Sequence, residues 1–161
     1  MEARPFRTKL GKEVTICPFF QGALEGLVAF YDQLEPKEAY QGLPPRLEET
    51  RRQWVERLLR EGDITFLALY ETRVIGHTSA IPIPSTLMAE LLVFVHQDFR
   101  NQGIGTELIH LVAEAASTRG LECLWLTVST SNSIAVHVYR KCGFCFIGPM
   151  DSEREMILRL C

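Results

Sequence analysis

Residues 88–128, MAELLVFVHQDFRNQGIGTELIHLVAEAASTRGLECLWLTV, constrain the fold of this chain more than any other stretch. They open on MAELLVFV, in which Glu90 is the single charged residue. A run that apolar fits a central strand covered on both faces. Ile104, Leu108, Leu111, Val112 and Ala115 then recur at helical spacing, and Gly120 closes the helix. CLWLTV at 123–128 reads as a second buried strand. A strand, a helix and a strand in that order give a parallel pair joined by a right-handed crossover.

The remainder builds outward from that unit. EVTIC (13–17) reads as a first strand, and Phe20, Leu24, Leu27, Val28, Tyr31 and Leu34 mark a helix over 20–34. Pro36 and GLPP (42–45) interrupt the chain. Leu47, Trp54, Val55, Leu58 and Leu59 then share the apolar face of a second helix ending at Gly62. DITFLALY (63–70) and RVIGHTSAI (73–81) form a hairpin about a short ET turn. Downstream, Ala135, Val138, Tyr139 and Cys142 line one face of a helix running into Gly143, followed by strands at 144–147 and 153–160. The expected order is β-α-α-β-β-β-α-β-α-β-β. The fold class is α/β, a three-layer domain with a mixed, mostly antiparallel sheet, a central parallel strand pair and helices on both faces. The whole chain, 1–161, is expected to be a single domain.

Composition excludes some functions. A hydrophobic fraction of 47% supports a real core, and a net charge of −3 gives no support to a nucleic-acid partner. No apolar stretch reaches the roughly 18 residues of a membrane span. The N-terminus, MEARPFRTKLGKE, has no apolar segment of a secretory signal, so the expected location is cytoplasmic. The five cysteines, Cys17, Cys123, Cys142, Cys145 and Cys161, read as mostly buried thiols of a reducing compartment. Cys142 and Cys145 form a CxxC, but at the end of a helix, where no dipole lowers a thiol pKa. No metal site is expected.

RNQGIG at 100–105 sits between the apolar strand and the helix. A plain turn needs one glycine; two suggest a backbone approached closely by something other than protein. A dinucleotide fingerprint would place a third glycine where Leu108 stands, and a P-loop would need Gly-Lys. The remaining pattern, R-x-x-G-x-G after a buried strand, matches the [QR]-x-x-G-x-[GA] signature of the general N-acetyltransferase (GNAT) superfamily. A second stretch, NSIAVHVYRKCGF (132–144), resembles that family's N-x-x-A-x-x-x-Y-x-x-x-GF, with Asn132, Ala135, Tyr139, Gly143 and Phe144 in place. The motif resemblance covers residues 88–148, and the N-terminal half agrees in element order.

The resemblance implies acetyl-CoA as cosubstrate. Backbone groups of Val93 and Val95 are expected to bond the pantetheine arm like an added strand, and the N–H near Val93 to face the thioester oxygen. The loop of Arg100, Asn101, Gln102, Gly103, Ile104, Gly105 and Thr106 is expected to hold the diphosphate at a helix N-terminus, where unpaired N–H groups and the dipole favour an anion. Asn132 completes the expected cofactor set. Tyr139 is the candidate donor to the leaving thiolate. Glu90 is the candidate base for an amine of pKa near 10, with its own pKa raised by burial. His77 is the reserve base, and a chain of waters is the third possibility. His96 reads as a solvent-side residue beside the loop, His110 as polar helix surface, and His137 as a neighbour of the cofactor.

The implied function is transfer of an acetyl group to a primary amine by direct attack in a ternary complex, with a protein lysine as one acceptor. Polyamines, amino acids, aminoglycosides and protein N-termini remain alternatives, as does a non-catalytic module that senses acyl-CoA. The segment QLEPKEAYQGLPP (33–45), with Glu35, Glu38 and Tyr40, is expected to border the acceptor. Neither nucleic acid nor membrane is an expected partner, and the chain is expected to be a monomer or a homodimer.

Overall fold

The two apolar runs lie side by side and parallel, as β5 (Met88–Val95) and β6 (Cys123–Ser129), joined through α3 (Ile104–Thr118). The computed structural model describes residues 1–36 and 44–161. Before β5 come β1 (Arg4–Arg7), β2 (Glu13–Pro18), α1 (Leu24–Gln33), α2 (Glu48–Glu61), β3 (Ile64–Tyr70) and β4 (Arg73–Pro82). After β6 come α4 (Ser133–Lys141), β7 (Cys145–Ile147) and β8 (Glu153–Arg159). The eight strands form one sheet in the order β1-β2-β3-β4-β5-β6-β8-β7, antiparallel at every junction except β5–β6.

Side-chain alternation divides the core in two. Ala89 and Leu91 of β5 face α3, where Ile104, Leu108, Leu111 and Val112 are buried with Ala68, Ile75 and Leu124. Leu92 and Phe94 turn the other way, against Leu27, Tyr31, Trp54 and Leu58 of α1 and α2. A strand with both faces covered has no polar face to spare, which explains the unbroken apolar run. The helices carry suitable ends: Glu48 and Glu49 open α2, while Arg140 and Lys141 close α4.

The expected architecture is observed, with corrections in the detail. A strand, β1, precedes the one read at 13–17; its sequence RPFR has no apolar period, and only Phe6 is half-buried. It pairs with β2 alone, an edge position that tolerates Pro5. Leu47 is 72% exposed, because it precedes α2 rather than packing on it. Phe20 is likewise exposed, ahead of a short 3-10 turn that leads into α1. Of the five thiols only Cys17 is buried; Cys123 and Cys142 are half-buried, and Cys145 and Cys161 are exposed. Finally, β5 is half-buried from Leu92 onward, because its neighbour on one side departs.

Candidate active site

That departure makes the site. β5 and β6 share a ladder only from Met88–Glu90 to Cys123–Trp125 and then separate. The gap opens into a cleft of about 670 Å³, floored by the end of β5 and walled by the start of α3, the end of β6 and α4. Hydrogen bonding fixes which β5 groups face it. Thr78 Oγ1 donates to Leu92 O at 2.9 Å, and His96 N donates to Ile75 O at 2.8 Å, so these residues address β4. With a period of two, Val93 and Val95 turn their N–H and C=O groups toward the cleft. Val95 O accepts from Arg100 Nε at 3.0 Å.

The loop beyond β5 is held from beneath. His96 is buried, its Nδ1 accepting from Asp98 N at 3.2 Å and its Nε2 lying 2.7 Å from Arg73 Nη2. It is therefore not a solvent-side residue. Phe99 is buried, and Gln102 is buried with its Nε2 donating to Asp98 O at 3.2 Å. Gln102 thus lies off the cleft wall, which leaves its side chain as a support for the loop. Arg100 also spends its side chain on backbone: besides Val95 O, its Nη2 donates to Glu35 O at 2.6 Å.

The two glycines differ. Gly103, the N-cap of α3, has φ +91°, a left-handed conformation that a side chain strains. Gly105 lies in the first turn of α3, and a Cβ there would meet Val95 Cγ2 at 3.7 Å, an ordinary contact. Protein packing alone does not require Gly105 to be a glycine; the space it leaves belongs to the cleft.

Glu90 stands at the last paired position, opposite Ile81 on β4 and Trp125 on β6. Among the described residues it is the only carboxylate lining the cleft and has no hydrogen-bond or ion-pair partner. Burial raises its pKa. Tyr139 lines the opposite wall, its ring 5.7 Å from that of Phe144, and burial first, with Cys142 second, pushes its pKa up to about 12. Asn132 lines the cleft as well, and its Oδ1 caps α4 by accepting from Ala135 N at 3.2 Å. His137 is exposed at the cleft, and His110 is exposed on α3.

His77 is not brought to the site. It lies on β4, fully buried beneath α1, its Nδ1 2.5 Å from Tyr31 Oη and its Nε2 without a partner among the described residues. Burial lowers its pKa to about 3, so a proton taken there is poorly held. The reserve base therefore lies away from the cleft lining.

Leu34, Pro36 and Pro44 line the cleft from the α1 and α2 side. Gln97 fixes the end of α1, accepting from Glu35 N at 3.0 Å and donating to Gln33 O at 2.9 Å. Arg51, only 4% exposed, pairs with Asp32 at 2.8 Å and donates to the carbonyls of Pro45 and Arg46. Glu38 and Tyr40 lie outside the described residues. Sequence reading missed Arg51, which sits in an amphipathic pattern as one more surface arginine, and it missed Lys9, which reaches the cleft from the unread β1–β2 turn. Among the described residues no group of three or more His, Cys, Asp or Glu could hold a metal ion, and no helix is long and apolar enough to cross a membrane.

A free strand edge leading onto a glycine-lined helix N-terminus has the shape and the unpaired N–H donors to suit a long ligand with an anionic end. Residues 27–144 match the family described as Acetyltransferase (GNAT) family, and the chain belongs to it. It is similar to the streptothricin acetyltransferase of Streptomyces lavendulae, 45% identical over 53 residues, 33% of this chain and 28% of that protein. It is also similar to the ribosomal protein bS18-alanine N-acetyltransferase of Escherichia coli K12, 32% identical over 72 residues, 43% of this chain and 49% of that one. The chain thus spans half or less of the length of these curated relatives. The GNAT domain of S. lividans PAT shares the fold, with TM-score 0.84 and 19% identity over 98% of this chain and 97% of that one. So does the PaiA N-acetyltransferase from Thermoplasma acidophilum in complex with coenzyme A, at TM-score 0.71 and 22% identity over 91% and 98%.

Proposed function

We propose that this protein, one domain over 1–161, is an acetyl-CoA-dependent N-acetyltransferase that acetylates a primary amine by direct attack in a ternary complex. The observation that carries this reading is the parting of β5 and β6 beyond Glu90, which leaves a strand edge free above a glycine-lined helix start. Pantetheine carries amide groups that can bond Val93 and Val95 as a neighbouring strand would. The diphosphate lies against the N–H groups of 103–106, with Arg100 and Asn132 holding the loop and the start of α4 in place.

In the transfer, the amine nitrogen bonds to the thioester carbonyl carbon while the negative charge gathers on its oxygen, opposite Val93 N–H. Glu90, directly or through water, takes the amine proton, a task suited to a carboxylate whose pKa burial has raised. The carbon–sulfur bond then breaks. A phenol held near 12 does not surrender its proton to a thiolate of pKa about 8.5, so Tyr139 stabilises the departing sulfur by donating a hydrogen bond. The thiolate takes its proton from the protonated Glu90 or from water, and the products are the amide and coenzyme A. The acceptor approaches from the α1 and α2 side, and a protein lysine is the first candidate, in a cytoplasmic setting. A second reading, a protein α-amine or a small-molecule amine, has its support in the names of the two curated relatives.

Calorimetry with acetyl-CoA tests the reading through Gly105→Glu, which adds bulk and charge to the cleft without the strain of a left-handed position. Micromolar binding to the unaltered protein, lost in the variant with its melting temperature retained, is the expected result. Absence of binding to either sinks both the transferase and an acyl-CoA sensor. Binding without acetylation of any amine in a mass-spectrometric screen leaves the sensor standing.

A further inference from the structure

β1 is an edge strand with little core of its own, yet the hairpin it forms with β2 is fastened to the glycine loop. Lys9 N donates to Gln102 O at 3.1 Å. Arg4 Nη2 pairs at 2.6 Å with Glu107 in the first turn of α3, and the Lys12 ammonium stands 4.4 Å over the Phe99 ring. A Cβ at Gly103 would lie 3.8 Å from Lys9 Cε, so the stem of Lys9 passes beside the N-cap of α3.

Its charge is left over. Arg4 is neutralised by Glu107, and Arg7 lies 3.7 Å from Glu13. Among the described residues Lys9 has no acidic partner, although it is exposed and lines the cleft. An ammonium beside a helix N-terminus adds to a field that is already positive, which is unfavourable until an anion arrives. Lysine suits a phosphate as a mobile point charge on a long stem.

We propose that Lys9 is a further cofactor-binding residue, its ammonium contacting the diphosphate of acetyl-CoA from the hairpin side of the loop. The inference rests on the acetyl-CoA reading above. The β1–β2 turn thereby becomes part of the cofactor site: its backbone supports the loop at Gln102, and its side chain closes over the anion.

Calorimetry of the full chain with acetyl-CoA, and with acetyl-dephospho-CoA lacking the ribose 3′-phosphate, tests this. Lys9→Ala keeps the backbone bond to Gln102 and is expected to weaken both ligands about three- to tenfold. Lys9→Arg is expected to restore wild-type affinity. Arg7→Ala, which removes a like charge from the same hairpin away from the cleft, is expected to stay within about twofold. Unchanged affinity in Lys9→Ala overturns the proposal. So does a loss seen with acetyl-CoA but not with the dephospho ligand, which moves the contact to the 3′-phosphate. Failure of the unaltered protein to bind acetyl-CoA overturns the cofactor reading itself, and the two failures are told apart in the same titrations.

Discussion

The two faces of this sheet offer the cleft different groups. On the α3 and α4 side they are backbone groups: the edge of β5, the N–H groups at the start of α3, and glycines that leave room. On the α1 and α2 side they are side chains: Leu34, Pro36, Pro44 and Glu90, which among the described residues is the one carboxylate lining the cleft. Backbone recognition needs particular residue types at fixed spacing, because only glycine yields the necessary φ or the necessary space. Side-chain recognition can be built from many residues in many positions. One face is therefore written in the sequence as a motif, and the other is not.

Glu90 joins the two faces, and its removal gives the largest expected effect. Glu90→Gln is expected to lower kcat/KM about 100-fold or more while leaving acetyl-CoA affinity unchanged, as loss of a general base does. The unaltered protein should lose activity as pH falls through the pKa of Glu90, which burial raises, and the variant should lack that limb. Stability should move the opposite way. A carboxyl whose folded pKa is raised holds its proton longer in the native state, so stability falls as pH rises through the unfolded and then the folded pKa. Glu90→Gln should therefore melt higher at neutral pH. A variant that melts lower would show that Glu90 is held by favourable contacts, and would remove it from the role of base.

Breaking the other face alone sharpens the contrast. Arg51→Ala leaves Asp32 and two carbonyls without their partner and is expected to cost about 2–3 kcal/mol in urea unfolding. The cofactor face should retain its acetyl-CoA affinity; a parallel loss would mean that the faces are energetically one unit. Tyr139→Phe should lower kcat about three- to tenfold, since a thiolate of pKa about 8.5 leaves tolerably without help. The smallest effect belongs to Gly105→Ala, expected to raise stability by about 0.5 kcal/mol at a helical position while binding weakens slightly. Gly103→Ala should instead destabilise, because its φ is +91°.

Legibility followed the same division. The eight residues of β5 and the helix spacing of α3 were readable because both faces of β5 are covered and α3 packs along one stripe. β1 was not readable, since an edge strand with one half-buried residue leaves no period, and with it went Lys9. Arg51 looked like any polar-face arginine; its burial depends on Asp32, nineteen positions away on another helix. The glycine pair was visible, but not the different reasons for the two: a backbone angle at Gly103, and open space at Gly105. His77 reads in the sequence as a strand histidine, yet its cover by Tyr31, itself packed on Trp54 and Phe94, is a tertiary fact.

The central claim is that acetyl-CoA lies in the gap between β5 and β6 as a surrogate strand ending on the glycine loop. Amide hydrogen exchange with and without acetyl-CoA, read residue by residue, tests it most directly. The account predicts new protection at Val93, at Val95 and across residues 103–106, with the amides of β4 unchanged. Protection confined to α1 and α2, with the β5 edge still exchanging freely, would contradict it.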